Sequence, residues 1–344
     1  MKVFLAGTAG GAGWPEPGCR CASCGGLPSG HRRPLDLVVD GVVRFPFDDP
    51  PGGYLPFAEG HGLTGPDGTR LLYVPSGRSA TLGVGAVPGP GRCDFLLIDL
   101  LDRPERLGLL RRAGVADRDT QVVAVGLDHR VRSEAELARR LALWGALAVP
   151  DGTTLHAGPS GPAPGGGSPS GAGARRELLL GGSRSGKSAE AELRLAGEPY
   201  VTYVATGPTG AGDGEWAARV RAHRERRPAH WATLETTDLA GAVRDATAPL
   251  LVDGLGTWLA AVFDEHGAWE GDRSAVWRRC DELVEAWRGA PWRIVAVSDE
   301  VGMGVVPATS SGRAFRDALG RLNERLAAES EDVALVVAGR LLPL

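Results

Sequence analysis

Leu178-Leu-Leu-Gly-Gly-Ser-Arg-Ser-Gly-Lys-Ser188 is the stretch that decides the fold of this chain. The short run at residues 177–180 is typical of a buried parallel strand, and residues 189–195 form a helix-favouring segment after the glycines. Strand, glycine-rich turn and helix, in that order, are the context that a phosphate-binding P-loop requires. The stretch therefore predicts a nucleotide-binding site.

The residue types of this loop suit a nucleoside triphosphate. Glycines let backbone N–H groups converge on phosphate oxygens, and the N-terminus of the following helix adds its dipole. Lys187 is predicted to bind the β- and γ-phosphates and Ser188 to bind Mg²⁺. The chain has 38 lysines and arginines, of which only Lys2 and Lys187 are lysines, so a lysine at the position that the motif demands favours this interpretation over a chance glycine-rich turn. The predicted nucleotide-binding residues of the loop are Gly181, Gly182, Ser183, Arg184, Ser185, Gly186, Lys187 and Ser188.

Composition narrows the class of protein. The net charge is −4 without a basic block, which argues against a nucleic-acid partner. No apolar run approaches the ~20 residues that span a bilayer, and the apolar start is too short for a signal peptide. Five cysteines, three of them crowded together, do not resemble a secreted disulfide framework. We therefore expect a cytoplasmic protein without a membrane span.

A segment rich in Gly, Pro and Ser divides the chain. Residues 157–174 cannot bury enough apolar surface to order themselves, which is typical of a linker. The sequence thus predicts an N-terminal domain at residues 1–156 and a nucleotide-binding domain at residues 175–344.

The C-terminal half alternates apolar runs with helical patterns. The predicted strands after the P-loop are residues 200–206, 249–253, 293–298 and 333–338, and a long helix is predicted at 312–329. Continuously apolar strands alternating with helices predict an α/β fold, here a RecA-like, mostly parallel sheet covered on both faces, with ligands at the carboxyl ends of its strands. Asp253 ends one of these strands, and we predict that it binds Mg²⁺, although it could simply cap the strand.

An ordered set of motifs runs through this half. They are Gly181 to Ser188, Tyr203-Val-Ala-Thr206, His223 with Arg227-Pro-Ala-His-Trp231, Leu251-Val-Asp253, Glu300-Val-Gly-Met-Gly-Val-Val-Pro307, and Phe315-Arg-Asp317 with Gly320-Arg-Leu-Asn323.

In order and spacing this set resembles the bifunctional adenosylcobinamide kinase / adenosylcobinamide-phosphate guanylyltransferase family of cobalamin biosynthesis. The resemblance implies phosphorylation of adenosylcobinamide by GTP or ATP, followed by transfer of GMP from GTP through a guanylyl-histidine to give adenosylcobinamide-GDP and pyrophosphate. It also implies a homo-oligomer, a trimer. The chain departs from the family at Asp253-Gly-Leu-Gly256, where Asp-Cys-Leu-Thr is usual.

The resemblance assigns the nucleophile to His223, with His230 as the alternative, and places Glu300 beside the nucleotide or substrate. His223 shares a predicted helix face with Trp216 and Val220, so a packed core histidine is the competing interpretation. Two arginines, Arg184 and Arg219, are candidates for phosphate binding.

Two other functions stay open. One is a P-loop kinase that phosphorylates a small molecule without guanylyl transfer. The other is a GTP-binding regulatory module, which would bind GTP tightly, turn it over slowly and not depend on a corrinoid.

The N-terminal half carries a possible metal site. Its short apolar pieces between Gly- and Pro-rich loops predict a β-rich α/β domain, with a helix at residues 133–144 that begins in a capping box. Cys19, Cys21 and Cys24 form C-x-C-x-x-C, which can place three thiolates around one structural Zn²⁺. His129 or His156 could supply a fourth ligand. The alternative is three reduced thiols in a loop, or a decayed site.

This half resembles a truncated metallo-β-lactamase fold of the phosphodiesterase branch. The similarity rests on Leu5-Ala-Gly-Thr8, Gly18 to Cys24, Phe95-Leu-Leu-Ile-Asp99 and Ala148-Val-Pro-Asp-Gly-Thr153 with Thr154. It implies a Cys3His zinc site in which Gly126-Leu-Asp-His129 supplies the histidine. The family's catalytic His-x-His-x-Asp-His signature is absent from the sequence, so we do not expect hydrolysis.

Overall fold

A computed structural model describes residues 1–76, 91–157, 175–207, 221, 225 and 227–344. These residues form two compact units: an N-terminal unit, which also includes Ala196–Pro199, and a C-terminal unit made of the rest of the second half.

The N-terminal unit contains two sheets. Its strands are β1 (Lys2–Gly7), β2 (Asp36–Val39), β3 (Val43–Arg44), β4 (Leu55–Phe57), β5 (Gly62–Thr64), β6 (Arg70–Val74), β7 (Phe95–Ile98), β8 (Gln121–Ala124) and β9 (Thr153–His156). Its helices are α1 (Ala22–Gly25), α2 (Glu105–Arg112) and α3 (Glu134–Leu143). One sheet is antiparallel in the order β3-β2-β1-β9. The other has the order β4-β5-β6-β7-β8, with β6, β7 and β8 parallel.

The two sheets share one hydrophobic core. Val3 and Leu5 of β1 point into it, while their neighbour Phe4 is exposed, as the period of a strand requires. Phe95 and Leu97 of β7 contribute from the other sheet. The expected capping box is present, since the Ser133 hydroxyl accepts a hydrogen bond from the Glu136 N–H at 3.2 Å. The assignment of this unit to a truncated metallo-β-lactamase fold stays a prediction.

The C-terminal unit is built on a seven-stranded sheet. Its strands are β10 (Arg176–Gly181), β11 (Thr202–Ala205), β12 (Ala232–Glu235), β13 (Leu250–Asp253), β14 (Ile294–Asp299), β15 (Asp332–Val337) and β16 (Arg340–Pro343). The helices described are α4 (Lys187–Leu195), α5 (Leu239–Arg244), α6 (Leu255–Glu265), α7 (Ser274–Arg288) and α8 (Ser310–Ala328). The strand order is β12-β11-β13-β14-β10-β15-β16, and every pairing is parallel except β15 with β16.

Successive residues of β10 face opposite sides of this sheet. Leu178 and Leu180 pack in a cluster with α5, α6, α7 and α8, whereas Leu179 packs with α4. A strand that is buried on both faces needs the continuous apolar run that the sequence shows. The predicted mostly parallel α/β sheet with helices on both faces is thus confirmed.

The end of the sheet differs from the sequence prediction. The sheet was expected to close with residues 333–338, but the chain turns back at Ala338 and Gly339, both with positive φ, and adds β16 as an antiparallel edge strand. Two left-handed residues suit a tight hairpin. Alanine at the first of them is an uncommon turn residue, which is why the sequence did not indicate this hairpin.

Candidate functional site

The P-loop takes its shape from glycines with little room around them. A Cβ at Gly181 would lie 2.6 Å from Ser185 Oγ and 2.6 Å from the Val336 carbonyl oxygen, so only glycine fits there. Gly186 has φ +100°, a conformation that L side chains rarely adopt. Immediately afterwards α4 begins, at Lys187. The loop therefore directs the N-terminus of α4 towards the carboxyl edge of the sheet, where an anion would bind.

Lys187 is held by groups of its own unit. Its Nζ lies 2.8 Å from Asp299 Oδ1 and donates to the Gly182 carbonyl oxygen at 3.0 Å. Asp299 is the last residue of β14 and the register partner of Gly181 on β10. Sequence reasoning missed Asp299, although its signal was the same as that of Asp253, a carboxylate at the end of an apolar strand.

Gly256, one of the positions at which this chain departs from the resembled family, lies close to Asp299. A Cβ on Gly256, which stands where the resembled family usually has threonine, would lie 2.9 Å from Asp299 Oδ2. Glycine at 256 therefore leaves room for the carboxylate that pairs with Lys187. Gly254, with φ +110°, starts the turn into α6.

Ser188 and Asp253, the two residues predicted to bind Mg²⁺, lie together. Ser188 Oγ donates to Asp253 Oδ1 at 3.1 Å, and the Tyr203 hydroxyl donates to Asp253 Oδ2 at 2.6 Å. Burial, together with the Asp253 charge, raises the pKa of Tyr203 well above its ordinary value, so Tyr203 acts as a neutral donor. Hydroxyl and carboxylate oxygens suit Mg²⁺. Tyr203 was not predicted as a site residue, because an aromatic side chain in a strand usually signals only packing.

The remaining P-loop residues and Glu300 lie at the same edge. Gly182, Ser183 and Arg184 are exposed, and Ser185 is buried. The Glu300 N–H donates to the Gly181 carbonyl oxygen at 3.2 Å, and its carboxylate accepts from the Gly302 N–H at 2.7 Å. Glu300 therefore shapes the loop that follows β14.

The predicted nucleophile is not placed by the structure. His223 and Arg219 lie outside the described residues, as does most of the helix predicted around them; Arg221 and Glu225 are helical. The alternative, His230, is half-buried, with its ring 6.5 Å from that of Trp231. The choice between His223 and His230 stays a prediction.

In the N-terminal unit the structure brings together four candidate zinc ligands. One donor atom from each lies within 4.8 Å of the others for the set Cys19, Cys21, Cys24 and His129. His156, the other candidate histidine, ends β9 and is not part of this group.

The local geometry of this group suits a closed site. Cys21 precedes α1 and its Sγ accepts from the Cys24 N–H at 3.4 Å, a contact that lowers the pKa of Cys21. Burial raises the pKa of the Cys24 thiol to about 11. His129 Nδ1 lies 3.6 Å from Cys24 Sγ and 3.2 Å from Glu16 Oε2. Three sulfurs and one imidazole are a donor set typical of structural zinc.

A second charged cluster lies after β7 and β8 in the same unit. The Arg130 guanidinium contacts three carboxylates, Asp99 Oδ2 at 2.8 Å, Asp102 Oδ2 at 2.6 Å and Asp128 Oδ1 at 2.8 Å. Asp99 is only 3% exposed, and burial raises its pKa while the hydrogen bond from Arg130 opposes that rise. Arg130 therefore neutralises a carboxylate that water does not reach.

Replacing Arg130 with alanine is expected to destabilise the N-terminal unit by about 3 kcal/mol, because a buried carboxylate then loses its partner. Hydrogen exchange of the β7 and β8 amides measures this loss locally. Arg92→Ala is the control, since Arg92 pairs with Asp94 at the surface, where such pairs contribute about 0–1 kcal/mol. Equal protection in the two variants would show that the cluster contributes no special stability.

Within the parts of the chain that the structure describes, no helix is both long enough and apolar enough to cross a membrane.

Comparison with known proteins places the C-terminal half in a known group. The family model described as CobU, cobinamide kinase / cobinamide phosphate guanyltransferase, matches residues 177–344. The bifunctional adenosylcobalamin biosynthesis protein CobP of Pseudomonas aeruginosa is 44% identical over 150 residues, which cover 42% of this chain and 82% of that protein. The CobU proteins of Salmonella typhimurium and Escherichia coli are 40% and 34% identical, and each match covers 51% of this chain and 93% of the relative. Residues 1–176 lie outside the family match.

Proposed function

This chain belongs to the cobinamide kinase / cobinamide phosphate guanyltransferase family, and from that premise we propose that it carries out both reactions on adenosylcobinamide. It phosphorylates the corrinoid's hydroxyl with GTP or ATP and then transfers GMP from GTP to the new phosphate, releasing pyrophosphate. The observation that carries the proposal is the P-loop at residues 181–188, with Lys187 and the Ser188–Asp253 pair at one edge of the sheet.

In the kinase step the protein mainly positions and neutralises charge. The corrinoid hydroxyl oxygen attacks the γ-phosphorus, its proton passes to water, and the nucleoside diphosphate leaves. Lys187, now paired with Asp299, would exchange that carboxylate for the β- and γ-phosphates. Ser188 and Asp253 would hold Mg²⁺, which neutralises phosphate charge when bound.

Guanylyl transfer is proposed to use a histidine nucleophile. A neutral imidazole nitrogen of His223 attacks the α-phosphorus of GTP, an N–P bond forms and pyrophosphate leaves. An oxygen of the corrinoid phosphate then attacks the same phosphorus, and the N–P bond breaks to free the histidine. A covalent nucleophile divides one difficult transfer into two easier displacements. His223 is supported by the family motif, and His230 is the alternative.

The first experiment is product analysis. The purified protein is incubated with adenosylcobinamide, GTP and Mg²⁺, and the corrinoids are identified by mass spectrometry. Adenosylcobinamide-GDP with pyrophosphate is the expected outcome. Adenosylcobinamide phosphate alone would favour a kinase without guanylyl transfer. An unchanged corrinoid with tightly bound GTP would favour the regulatory module. Light scattering tests the trimer expected from the family resemblance.

We also propose that Cys19, Cys21, Cys24 and His129 hold a structural Zn²⁺ in the N-terminal unit. Removing one of four ligands weakens binding and leaves the site open. Cys21→Ser is therefore expected to lower the zinc content from one ion per chain to well below half, as measured by inductively coupled plasma mass spectrometry. Cys93→Ala removes a buried thiol outside the cluster and should keep the zinc. Metal-free wild-type protein, purified without chelators, would contradict the assignment.

A further inference from the structure

Arg227 is a half-buried arginine whose guanidinium packs on an aromatic ring. Its Cζ lies 3.4 Å from the centroid of the Tyr203 ring, so the guanidinium stacks on the aromatic face. Its Nε is buried and has no hydrogen-bond partner among the residues that the structure describes. NH1 makes one long hydrogen bond, 3.3 Å to Thr233 Oγ1. Among the residues that the structure describes, no carboxylate forms an ion pair with Arg227.

Arg227 therefore keeps N–H donors that could bind an anion. A guanidinium has five N–H donors, and burying an unpaired cation is unfavourable. Most of the other partly buried arginines that the structure describes pair with carboxylates, as Arg130 does with Asp99 at 2.8 Å. Stacking on Tyr203 holds the Arg227 plane in one orientation while its edge donors stay available.

The position of Arg227 links it to the P-loop. The ring that it covers belongs to Tyr203, whose hydroxyl donates to Asp253, the same carboxylate that accepts from Ser188. A single network thus joins the Arg227 guanidinium to the start of α4. In sequence, Arg227 follows His223 by four residues.

We propose that Arg227 binds the α-phosphate of GTP during guanylyl transfer, an assignment that rests on the proposed function above. The step is the attack of the histidine nitrogen on the α-phosphorus, with formation of the N–P bond and departure of pyrophosphate. Negative charge on the α-phosphate oxygens persists while that bond forms. The planar donors of Arg227 neutralise it in a fixed orientation, and the kinase step at the γ-phosphate does not require them.

The test separates the two reactions in Arg227→Gln and Arg227→Ala. Covalent labelling of the protein by GTP labelled at the α-phosphate is expected to fall at least about 100-fold in both variants. Transfer of the γ-phosphate to adenosylcobinamide should change by no more than about 3-fold, because it rests on Lys187. Millimolar guanidinium ion should restore part of the labelling in Arg227→Ala. Arg244→Gln, which removes an exposed charge from α5, is the matched control and should label like the wild type.

The outcomes are distinguishable. A labelled wild type with an equally labelled Arg227→Gln would overturn the assignment and leave the proposed function standing. Equal loss of both reactions without rescue by guanidinium ion would assign Arg227 to packing against Tyr203 and also overturn the proposal. An unlabelled wild type would contradict guanylyl transfer through a histidine. It would therefore also overturn the proposed role of Arg227.

Discussion

Lys187→Ala is expected to lower the transfer of γ-phosphate from GTP to adenosylcobinamide by at least about 100-fold, because the cation that neutralises the transferred phosphate is lost. Lys187 is the only lysine in the C-terminal half, and its Nζ already holds an anion, Asp299 Oδ1 at 2.8 Å. The measurement is the initial rate of adenosylcobinamide phosphate formation with GTP labelled at the γ-phosphate.

Lys2→Ala is the matched control, since it removes the other lysine of the chain from an exposed position on β1. Loss of Lys187 should leave the fold intact, because the Asp299 side chain is 44% exposed and water can solvate it. A Lys187→Ala protein that phosphorylates at the wild-type rate would show that the P-loop is not the site of phosphoryl transfer.

The second large effect is expected from His223→Ala, which should lower formation of adenosylcobinamide-GDP by at least about 1,000-fold, since no other group then forms the covalent intermediate. Phosphorylation of adenosylcobinamide should persist, so adenosylcobinamide phosphate accumulates. Mass spectrometry of the corrinoids measures both products in one reaction.

His230→Ala is the matched comparison for His223→Ala. Retention of guanylyl transfer in His230→Ala, with loss in His223→Ala, is the expected pair of results. The reverse pair would move the nucleophile to His230, and retention in both variants would exclude a single histidine intermediate at either position.

Local sequence patterns predicted the five central strands of the nucleotide-binding unit, but not its two edge strands, β12 and β16. The P-loop motif placed the end of β10 to within one residue and the start of α4 to within two, because both boundaries depend on glycines and neighbouring residues. Asp253 could be identified in the same way, as a carboxylate at the end of an apolar strand.

Contacts that depend on tertiary packing could not be predicted in this way. The Lys187–Asp299 pair joins residues 112 positions apart (299 − 187), and it requires β14 to lie beside β10, an order that strand patterns alone do not determine. The sequence of β11 indicates only packing for Tyr203, whereas in the structure its hydroxyl donates to Asp253. The carboxylate of Glu300 accepts from the Gly302 N–H, a turn contact that the motif did not indicate.

In the N-terminal unit, too, the sequence predicted the local part of the site but not the contact that depends on tertiary packing. Three cysteines within six positions have to lie close together, so their spacing alone predicted a cluster. His129 is 105 positions from Cys24, and only the family resemblance favoured it over His156. In the structure His129 is the histidine beside the cysteines.

Covalent labelling of the intact wild-type protein tests the central claim most directly. The protein is incubated with Mg²⁺ and GTP labelled at either the α- or the γ-phosphate, denatured, and exposed to acid or alkali before gel electrophoresis. A phosphoramidate to histidine predicts label from the α-phosphate only, stable in alkali and lost in acid. No covalent label, or label from the γ-phosphate, would contradict a guanylyl-histidine intermediate in this chain.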